Sequence, residues 1–325
     1  MTAARWSGTA PLRVGTRGSA LAMAQAQTVV DALTARTGVS VTLVEIATAG
    51  DRSAMPVAQL GVGVFVSALR DALAAKEIDA AIHSYKDLPT TPDDRLRVAA
   101  VPVRANPRDA LVTRSGLGLD QLPSGARIGT GAPRRMAQLR CLDRGLVPVP
   151  VRGNVDTRLR KLAAGEFEAL VLAHAGLARL GRADEITETL DPAVMLPAPA
   201  QGALAVECRV DDDPLLELLS VLDHQASHAA VIAERSFMST LEAGCSAPVA
   251  GLAEFGKGDE LRLHGAVFDP DGRRTIRASR TVVGAALAEQ LGRELATELL
   301  DTGARTILAG AGDRGGARAA ADQNA

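Results

Sequence analysis

The sequence predicts an α/β protein with two alternating halves and a small α+β unit near its end. Short apolar runs alternate with longer amphipathic stretches between residues 12 and 173, which is typical of mainly parallel strands joined by helices. This pattern restarts after Pro102. Near the end, two strand-like runs flank an Asp-Pro-Asp-Gly turn and precede a last helix. A chain of 325 residues also exceeds the size of most single cores, about 250–300 residues.

Each half repeats strands followed by helices. In the first half we predict strands at 12–14, 39–46 and 78–82, and helices at 20–35 and 65–75. In the second half we predict strands at 110–113, 127–129, 147–151 and 169–173, and helices at 134–143 and 155–164. For the last unit we predict a helix at 229–240, a hairpin at 261–267 and 274–281, a helix at 285–301 and a frayed tail at 310–325.

The composition excludes several classes of function. A formal net charge of −2 and an aromatic content of 2% argue against broad nucleic-acid binding. No apolar run approaches the length of a membrane span, and the first residues lack the apolar core of a signal peptide. The 3 cysteines have no metal-type spacing and fit a reducing compartment. We therefore expect a cytoplasmic protein that binds no nucleic acid, membrane or metal.

The most informative segment is residues 78–90, Ile-Asp-Ala-Ala-Ile-His-Ser-Tyr-Lys-Asp-Leu-Pro-Thr. A short apolar strand changes abruptly into five polar side chains, which are His83, Ser84, Tyr85, Lys86 and Asp87. Because ligands of α/β sheets bind beyond the carboxyl ends of strands, this crowding indicates a site. A capped turn with solvated charges is the alternative interpretation.

Two similar turns lie at corresponding places in the two halves. Arg-Val-Gly-Thr at 13–16 and Arg-Ile-Gly-Thr at 127–130 each end a strand before a helix begins. A helix N-terminus offers free N–H groups and a partial positive charge, so both turns can bind anions. Either turn alone is better explained as a plain connection between a strand and a helix. The pair suggests a ligand held between two similar domains.

Arginines gather at these strand ends. They follow the two turns and the next strand, at Arg17, Arg134, Arg135, Arg152 and Arg158. Because a guanidinium group can pair with a carboxylate or phosphate through two parallel hydrogen bonds, this set implies a ligand with several anionic groups. The sequence contains no complete phosphate-loop or dinucleotide fingerprint, so phosphate alone is less favoured.

Cys245 lies in the loop Leu-Glu-Ala-Gly-Cys-Ser-Ala-Pro at 241–248. Its neighbours Gly244 and Ser246 are small, and an accessible thiol can act as a nucleophile. The alternative is a small buried hydrophobic residue. We interpret Cys141, within a predicted helix, and Cys208, at a predicted strand end, as structural.

Together these motifs resemble the porphobilinogen deaminase, or hydroxymethylbilane synthase, family. The resemblance extends from about Leu12 to about Leu300 and rests on six motifs in the family's order, such as His-Ser-Tyr-Lys-Asp-Leu-Pro-Thr and Glu-Ala-Gly-Cys. The six motifs lie at residues 13–22, 83–90, 129–135, 151–159, 196–203 and 242–245.

The resemblance implies two periplasmic-binding-protein-like domains with a cleft between them, plus a small C-terminal α+β domain. We accordingly expect a first domain at 1–102 with 201–220, a second at 103–200, a third at 221–309 and a flexible tail at 310–325. The implied enzyme is a transferase of haem and tetrapyrrole biosynthesis. It condenses four porphobilinogen molecules onto a covalent dipyrromethane primer with release of ammonia, and then frees hydroxymethylbilane by hydrolysis.

The resemblance also assigns roles to residues of this chain. Asp87 matches the catalytic aspartate, and Cys245 matches the cysteine that holds dipyrromethane through a thioether. A carboxylate near the pyrrole nitrogens can stabilise the cation left by ammonia loss and assist proton transfer. The matching cofactor-binding positions are Lys86, Ser84, Ser19, Arg134, Arg135 and Thr130. The matching substrate-binding positions are Arg17, Arg152, Arg158, Arg179 and Phe65. His83 is expected to be a structural hydrogen-bonding residue.

The chain departs from the family pattern near the expected site. No lysine occurs between Asp51 and Lys76, so the glycine-rich segment 59–64 would bring no positive charge to the growing chain. Gly18 stands where glutamine is often found, and residues 131–132 are Gly-Ala where two serines are often found. Asp87, Cys245 and the main arginines remain, so activity is expected.

A non-catalytic anion-binding protein on the same scaffold is the competing hypothesis, because a fold alone does not determine function. Asp87 together with Cys245 distinguishes the two hypotheses, since binding alone needs neither residue. We expect porphobilinogen as the small-molecule partner of a monomeric enzyme.

Overall fold

The structure is a computed structural model that describes residues 10–48, 66–243 and 247–310. The chain divides into two compact units. The first contains Met1–Ala105 and Gly202–His228, and the second contains Asn106–Gln201 and Ala229–Ala325. The chain therefore leaves the first unit after residue 105 and returns to it at residue 202.

In its described part, the first unit contains a 5-stranded sheet in the order β2-β1-β3-β10-β4. Its strands are β1 Leu12–Thr16, β2 Val41–Glu45, β3 Ala80–Ser84, β4 Leu96–Ala100 and β10 Leu204–Arg209. Its helices are α1 Ala20–Thr37, α2 Ser67–Ala74 and α6 Asp213–Ser220. Strands β1, β2 and β3 are parallel, whereas β10 runs antiparallel to both β3 and β4.

Local chemistry sets the bounds of α1. The Ser19 hydroxyl accepts a hydrogen bond from the Ala22 N–H at 3.3 Å and caps the start of the helix. Gly38 ends the helix with φ 72°, a left-handed conformation that favours glycine. The apolar side of α1 buries Val29 and Leu33 in a cluster with β1 and α6. Helix α2 packs Leu69 into a separate cluster that also contains Ala81 of β3.

The described part of the second unit contains a second 5-stranded sheet in the order β7-β6-β8-β5-β9. Its strands are β5 Asp109–Thr113, β6 Arg127–Thr130, β7 Val147–Pro150, β8 Ala169–Ala173 and β9 Glu188–Thr189. Its helices are α3 Pro133–Cys141, α4 Val155–Ala163 and α5 His174–Arg179. Buried leucines of α3 and α4 lie in two different hydrophobic clusters, so apolar helix faces pack on this sheet from two directions.

The two sheets share one topology. In each sheet, three neighbouring strands are parallel, and the third of them pairs with an antiparallel fourth strand. This fourth strand also pairs with the edge strand, again antiparallel. The predicted mainly parallel arrangement is therefore incomplete, because two of the four strand pairings in each described sheet are antiparallel. The sequence order of strands does not show the direction in which β10 and β5 enter their sheets.

A smaller 3-stranded antiparallel sheet completes the described part of the second unit, in the order β11-β12-β13. Its strands are β11 Val249–Phe255, β12 Glu260–Phe268 and β13 Thr275–Val283. Its helices are α8 Ala288–Leu299 and α7 Gln225–Thr240, of which the residues from Ala229 onward belong to the second unit. Phe237 of α7 and Leu291 of α8 are buried in one cluster with this sheet. At Gly292 a Cβ atom would lie 2.3 Å from the Ala233 carbonyl oxygen, so α7 and α8 approach each other at backbone distance.

The prediction of an α/β chain with two similar halves and a small α+β unit is confirmed. The strands and helices predicted for the two alternating halves are present, with ends shifted by a few residues. Strands β4, β9 and β11 and helices α5 and α6 were not predicted as elements, and β10 was predicted only through the strand end at Cys208. The three-domain boundaries stay a prediction, and residues 311–325 of the expected tail lie outside the described residues. No helix of the described residues is long and apolar enough to cross a membrane.

Candidate active site

The predicted site residues follow the carboxyl ends of parallel strands in both units. In the first unit, Arg17 and Ser19 follow β1, and Lys86 and Asp87 follow β3. In the second unit, the predicted residues follow β6, β7 and β8, at Arg134, Arg135, Arg152, Arg158 and Arg179. Carboxyl ends of parallel strands meet at one edge of a sheet, so each unit presents its own group of polar residues there.

Asp87 lies beside a small pocket of the first unit. The residue ends the single 3₁₀ turn Tyr85–Asp87, which directly follows β3, and its side chain is exposed. The pocket is lined by Arg17, Ala22, Gln25, Val66, Ile82, His83, Ser84 and Asp87. One carboxylate, one guanidinium and several neutral hydrogen-bonding groups thus share a concave surface. This combination can bind an anionic ligand and stabilise a nearby positive charge.

The remaining predicted residues of the first unit lie at the same strand ends as the pocket residues. Ser84 and Gln25 form a side-chain hydrogen bond, in which the Gln25 Nε2 lies 2.9 Å from the Ser84 Oγ. Ser19 caps α1, so its hydroxyl is engaged in the turn that carries Arg17. Lys86 is half-buried in the 3₁₀ turn beside Asp87.

His83 faces Glu207, a buried carboxylate on the neighbouring strand β10. Its Nε2 lies 3.3 Å from the Glu207 Oε2, in a geometry too bent for a hydrogen bond. Arg70 binds the same carboxylate through two contacts, Nε to Oε2 at 3.2 Å and Nη2 to Oε1 at 2.8 Å. Burial would raise the pKa of Glu207, but the contacts with His83 and Arg70 lower it below its ordinary value. His83 is therefore buried beside this carboxylate, but its Nε2 does not form the hydrogen bond expected of a structural hydrogen-bonding residue.

In the second unit, the turn between β6 and α3 carries the arginine pair. Arg134 and Arg135 lie in the first turn of α3, which begins at Pro133. Both side chains are buried and pair with Asp109, the first residue of β5. Burial would raise the pKa of Asp109, but the charges of Arg134 and Arg135, with the hydrogen bonds from Arg135 and Gln201, hold it at about 2.

Arg158 reaches this same turn from α4. Its Nη2 lies 3.5 Å from the position that a Cβ atom would take at Gly131. The Arg158 Nε donates a hydrogen bond to the Gly153 carbonyl oxygen at 2.8 Å, which directs the guanidinium back over the turn. Burial and the positive charge of Arg135 lower the pKa of Arg158. Three arginines therefore gather near the β6–α3 turn, and two of them share the single buried carboxylate of Asp109.

The other predicted residues of the second unit differ in exposure. Thr130 is fully buried at the end of β6, and its Oγ1 accepts a hydrogen bond from the Ala132 N–H at 3.4 Å. Arg152 is exposed just after β7. Arg179 ends α5, and burial lowers its pKa to about 10. A partly buried guanidinium of this kind gains from an anionic ligand.

Three parts of the predicted site lie outside the described residues. These are Cys245, Phe65 and the glycine-rich segment 59–64. The other two cysteines behave as predicted for structural residues. Cys208 is buried in β10, and burial raises the pKa of its thiol to about 12. Cys141 is half-buried in α3, with its Sγ 3.3 Å from the Thr275 Oγ1.

The sequence interpretation missed the acidic and amide partners of the site residues. Asp109, Glu207, Gln25 and Gln201 were not singled out. Asp109 is 26 residues away from Arg135 in sequence, and Glu207 is 137 residues away from Arg70. The available signal was the presence of Asp109 directly before the predicted apolar strand 110–113 and of Glu207 within an apolar run, where a buried ionised group needs a partner.

The family profiles and the curated relatives that match this chain carry the same family name. The family profile described as "Porphobilinogen deaminase, dipyromethane cofactor binding domain" matches residues 12–217, and the profile "Porphobilinogen deaminase, C-terminal domain" matches residues 228–301. The chain is 57% identical over 307 residues to the porphobilinogen deaminase of Nocardia farcinica, covering 92% of this chain and 88% of the relative. It is 54% identical to that of Mycobacterium tuberculosis, covering 92% and 99%.

Two solved structures resemble this chain at much lower sequence identity. A periplasmic substrate-binding protein of an ABC transporter from Coxiella burnetii is 16% identical, with a TM-score of 0.43, over 65% of this chain and 91% of that chain. The methionine-binding protein MetQ is 13% identical, with a TM-score of 0.41, over 65% and 89%.

Proposed function

The chain belongs to the porphobilinogen deaminase family, and from that premise we propose which of its residues perform the reaction. The activity is that of a hydroxymethylbilane synthase, a transferase. It joins four porphobilinogen molecules head to tail on a dipyrromethane cofactor with release of ammonia, and hydrolysis frees the linear tetrapyrrole. The observation that supports the residue assignment is the pocket of the first unit, where Asp87 and Arg17 lie together.

The donor set of the chain fits a ligand with several carboxylates. The arginines near the β6–α3 turn outnumber their buried carboxylate partner, and burial lowers the pKa of Arg158 there. We assign the cofactor's carboxylates to Ser19, Ser84, Lys86, Thr130, Arg134 and Arg135, and its covalent attachment to Cys245. When bound, dipyrromethane would supply the free terminal pyrrole carbon to which the first porphobilinogen is joined, and each later porphobilinogen would be joined to the ring added before it.

Substrate carboxylates are assigned to the remaining arginines. Each porphobilinogen carries an acetate and a propionate, and a guanidinium fork matches a carboxylate with two parallel hydrogen bonds. The assigned residues are Arg17, Arg152, Arg158 and Arg179, with Phe65 as a further substrate contact. Arg158 has the strongest structural support, because it is partly buried at the turn and already oriented by Gly153.

Asp87 is assigned the catalytic role. Loss of ammonia leaves positive charge on the pyrrole ring of the substrate, and a carboxylate beside the pyrrole nitrogen stabilises that charge. The same carboxylate can accept and return protons as the new bond forms and the ring regains its aromaticity. The exposed position of Asp87 at the pocket gives a substrate direct access to its oxygens.

We also propose the substrate, the oligomeric state and the cellular compartment of the enzyme. Porphobilinogen is the small-molecule partner, and we assign a monomeric enzyme in the cytoplasm. The described cysteines, Cys141 and Cys208, are free thiols, which supports a reducing compartment.

The intact mass of the purified chain tests the cofactor assignment. We expect the wild type to carry an added dipyrromethane and to give a pyrrole colour reaction, and Cys245→Ser to have the mass of the bare polypeptide. Cys141→Ser is the matched control and should keep the added mass. A wild type that is active but shows only the bare polypeptide mass would contradict covalent attachment.

A further inference from the structure

We propose that Asp109 is a positioning residue of the active site, which orients Arg134 and Arg135 and leaves the pair with one net positive charge for a ligand carboxylate. The inference rests on the proposed function and extends it to a residue that contacts no ligand itself. It follows from the geometry of the second unit alone.

Both oxygens of the Asp109 carboxylate are occupied by the arginine pair. The Oδ1 atom accepts hydrogen bonds from the Arg135 Nε at 3.0 Å and from the Arg135 Nη2 at 2.7 Å. The Oδ2 atom lies 2.7 Å from the Arg134 Nη2. Asp109 has a relative exposure of 0%, so no water competes for these contacts from bulk solvent. A single carboxylate thus holds two guanidinium groups side by side.

Backbone oxygens fix the same two side chains from other directions. The Arg135 Nη1 donates to the Val171 carbonyl oxygen at 3.1 Å, and the Arg134 Nη1 donates to the Leu196 carbonyl oxygen at 2.5 Å. All three side-chain nitrogens of Arg135 are therefore engaged inside the protein. Arg135 cannot rotate toward a ligand without leaving a buried carboxylate without this partner, which is costly. Arg135 therefore meets a cofactor carboxylate in the orientation that Asp109 and Val171 impose.

Gln201 connects this cluster to the chain segment before β10. Its Nε2 donates to the Asp109 Oδ1 at 2.8 Å and to the Pro107 carbonyl oxygen at 2.7 Å. Asp109 is also paired with Ala173 across β5 and β8, so its backbone position is set by the sheet. The carboxylate is therefore a fixed point, and the first turn of α3 is oriented relative to it.

The charge balance between Arg134 and Arg135 explains why the Asp109 carboxylate is needed beside them. Two adjacent buried guanidinium groups repel each other, and each has lost its hydration. Asp109 cancels one of the two charges. The remaining charge suits one carboxylate of the cofactor at the first turn of α3, where helix N–H groups add to the attraction.

Asp109→Asn tests the inference, because it keeps the shape and removes the charge. The matched control is Asp79→Asn, since Asp79 also lies between two arginines, 2.7 Å from the Arg13 Nη2 and 3.9 Å from the Arg209 Nη2. Asp79 precedes β3, at the sheet end opposite Asp87. We would measure the fraction of chains that carry the cofactor by intact mass, and then KM and kcat per loaded chain.

For Asp109→Asn we expect the loaded fraction to fall about tenfold or more, as for the loss of a charged hydrogen bond. The loaded remainder should show KM for porphobilinogen raised about tenfold, with kcat within about threefold. Asp79→Asn should match the wild type in loading and KM. If Asp109→Asn does not fold, Asp109→Glu keeps the charge but displaces the carboxylate, and we expect an intermediate loss of loading.

Two results would overturn the inference while the proposed function stands. One is a loaded and active wild type whose Asp109→Asn or Asp109→Glu variants match it in loading and KM. The other is an equal loss of loading in Asp109→Asn and Asp79→Asn, which would indicate a general effect on stability. A wild type with neither cofactor nor activity would instead refute the proposed function.

Discussion

Asp87→Asn is the sharpest test of the catalytic assignment, because the amide keeps the shape of the carboxylate and removes its charge. Asp87 lies at the pocket of the first unit with Arg17 and Ser84. A positive charge about 4 Å from a carboxylate gains about 4 kcal/mol at an effective dielectric constant of about 20. Solvent exposure of Asp87 weakens this interaction, so we expect a loss of about 2–4 kcal/mol in the transition state.

That loss corresponds to a kcat about 30- to 1,000-fold below the wild-type value. The assay is the initial rate of porphobilinogen consumption and ammonia release, normalised to the loaded fraction from intact mass. Asp94→Asn is the matched control, because Asp94 is exposed on the same loop and does not line the pocket. Asp87→Asn should keep its cofactor. A kcat within about threefold of the wild type, at equal loading, would remove Asp87 from the mechanism.

Two further substitutions probe the surroundings of the site. Glu207→Gln removes a carboxylate whose folded-state pKa is lowered, so the stability it contributes is present above its ordinary pKa and lost as the pH falls through the folded value. We expect the unfolding midpoint of Glu207→Gln to be several degrees below that of the wild type at pH 7, and this difference to shrink below about pH 4. The control is Glu217→Gln, because Glu217 is exposed. A difference of equal size at pH 7 and below about pH 4 would contradict the ion pair. Arg158→Lys loses the guanidinium fork, so KM for porphobilinogen should rise about tenfold with little change in kcat. Arg160→Lys, exposed on the same helix, should leave KM unchanged, and similar KM values for both variants would refute the assignment of Arg158.

The sequence predicted the elements that carry strong local signals. The helix α1 has a serine cap and a glycine stop, and β1, β3, β6 and β8 are short apolar runs that end at polar turns. These strand ends also carry the predicted site residues, since the ends of parallel strands form the usual ligand edge. For this reason the site residues could be placed on their strands and turns before the sheet order was known.

The missed features depend on contacts that local patterns do not encode. Helix α5 has only six residues, and β9 only two, so neither shows a measurable period. The direction of β10 depends on its return to the first sheet after residue 202. The pairing of Asp109 with Arg134 and Arg135 depends on β5 and β6 lying on either side of β8. Each of these features is determined by the tertiary arrangement of the chain and not by a local sequence pattern.

The return of β10 to the first sheet also constrains the order in which the chain can fold during synthesis. Strand β10 pairs with both β3 and β4, so the first sheet lacks its connecting strand until residues 204–209 have been made. The second sheet needs only residues 109–189. About 100 residues separate β4 from β10, which is about 5–20 s of translation at about 5–20 residues per second. We expect the part of the chain that is made first to complete its sheet last, with the edge of β3 open to other strands during that interval.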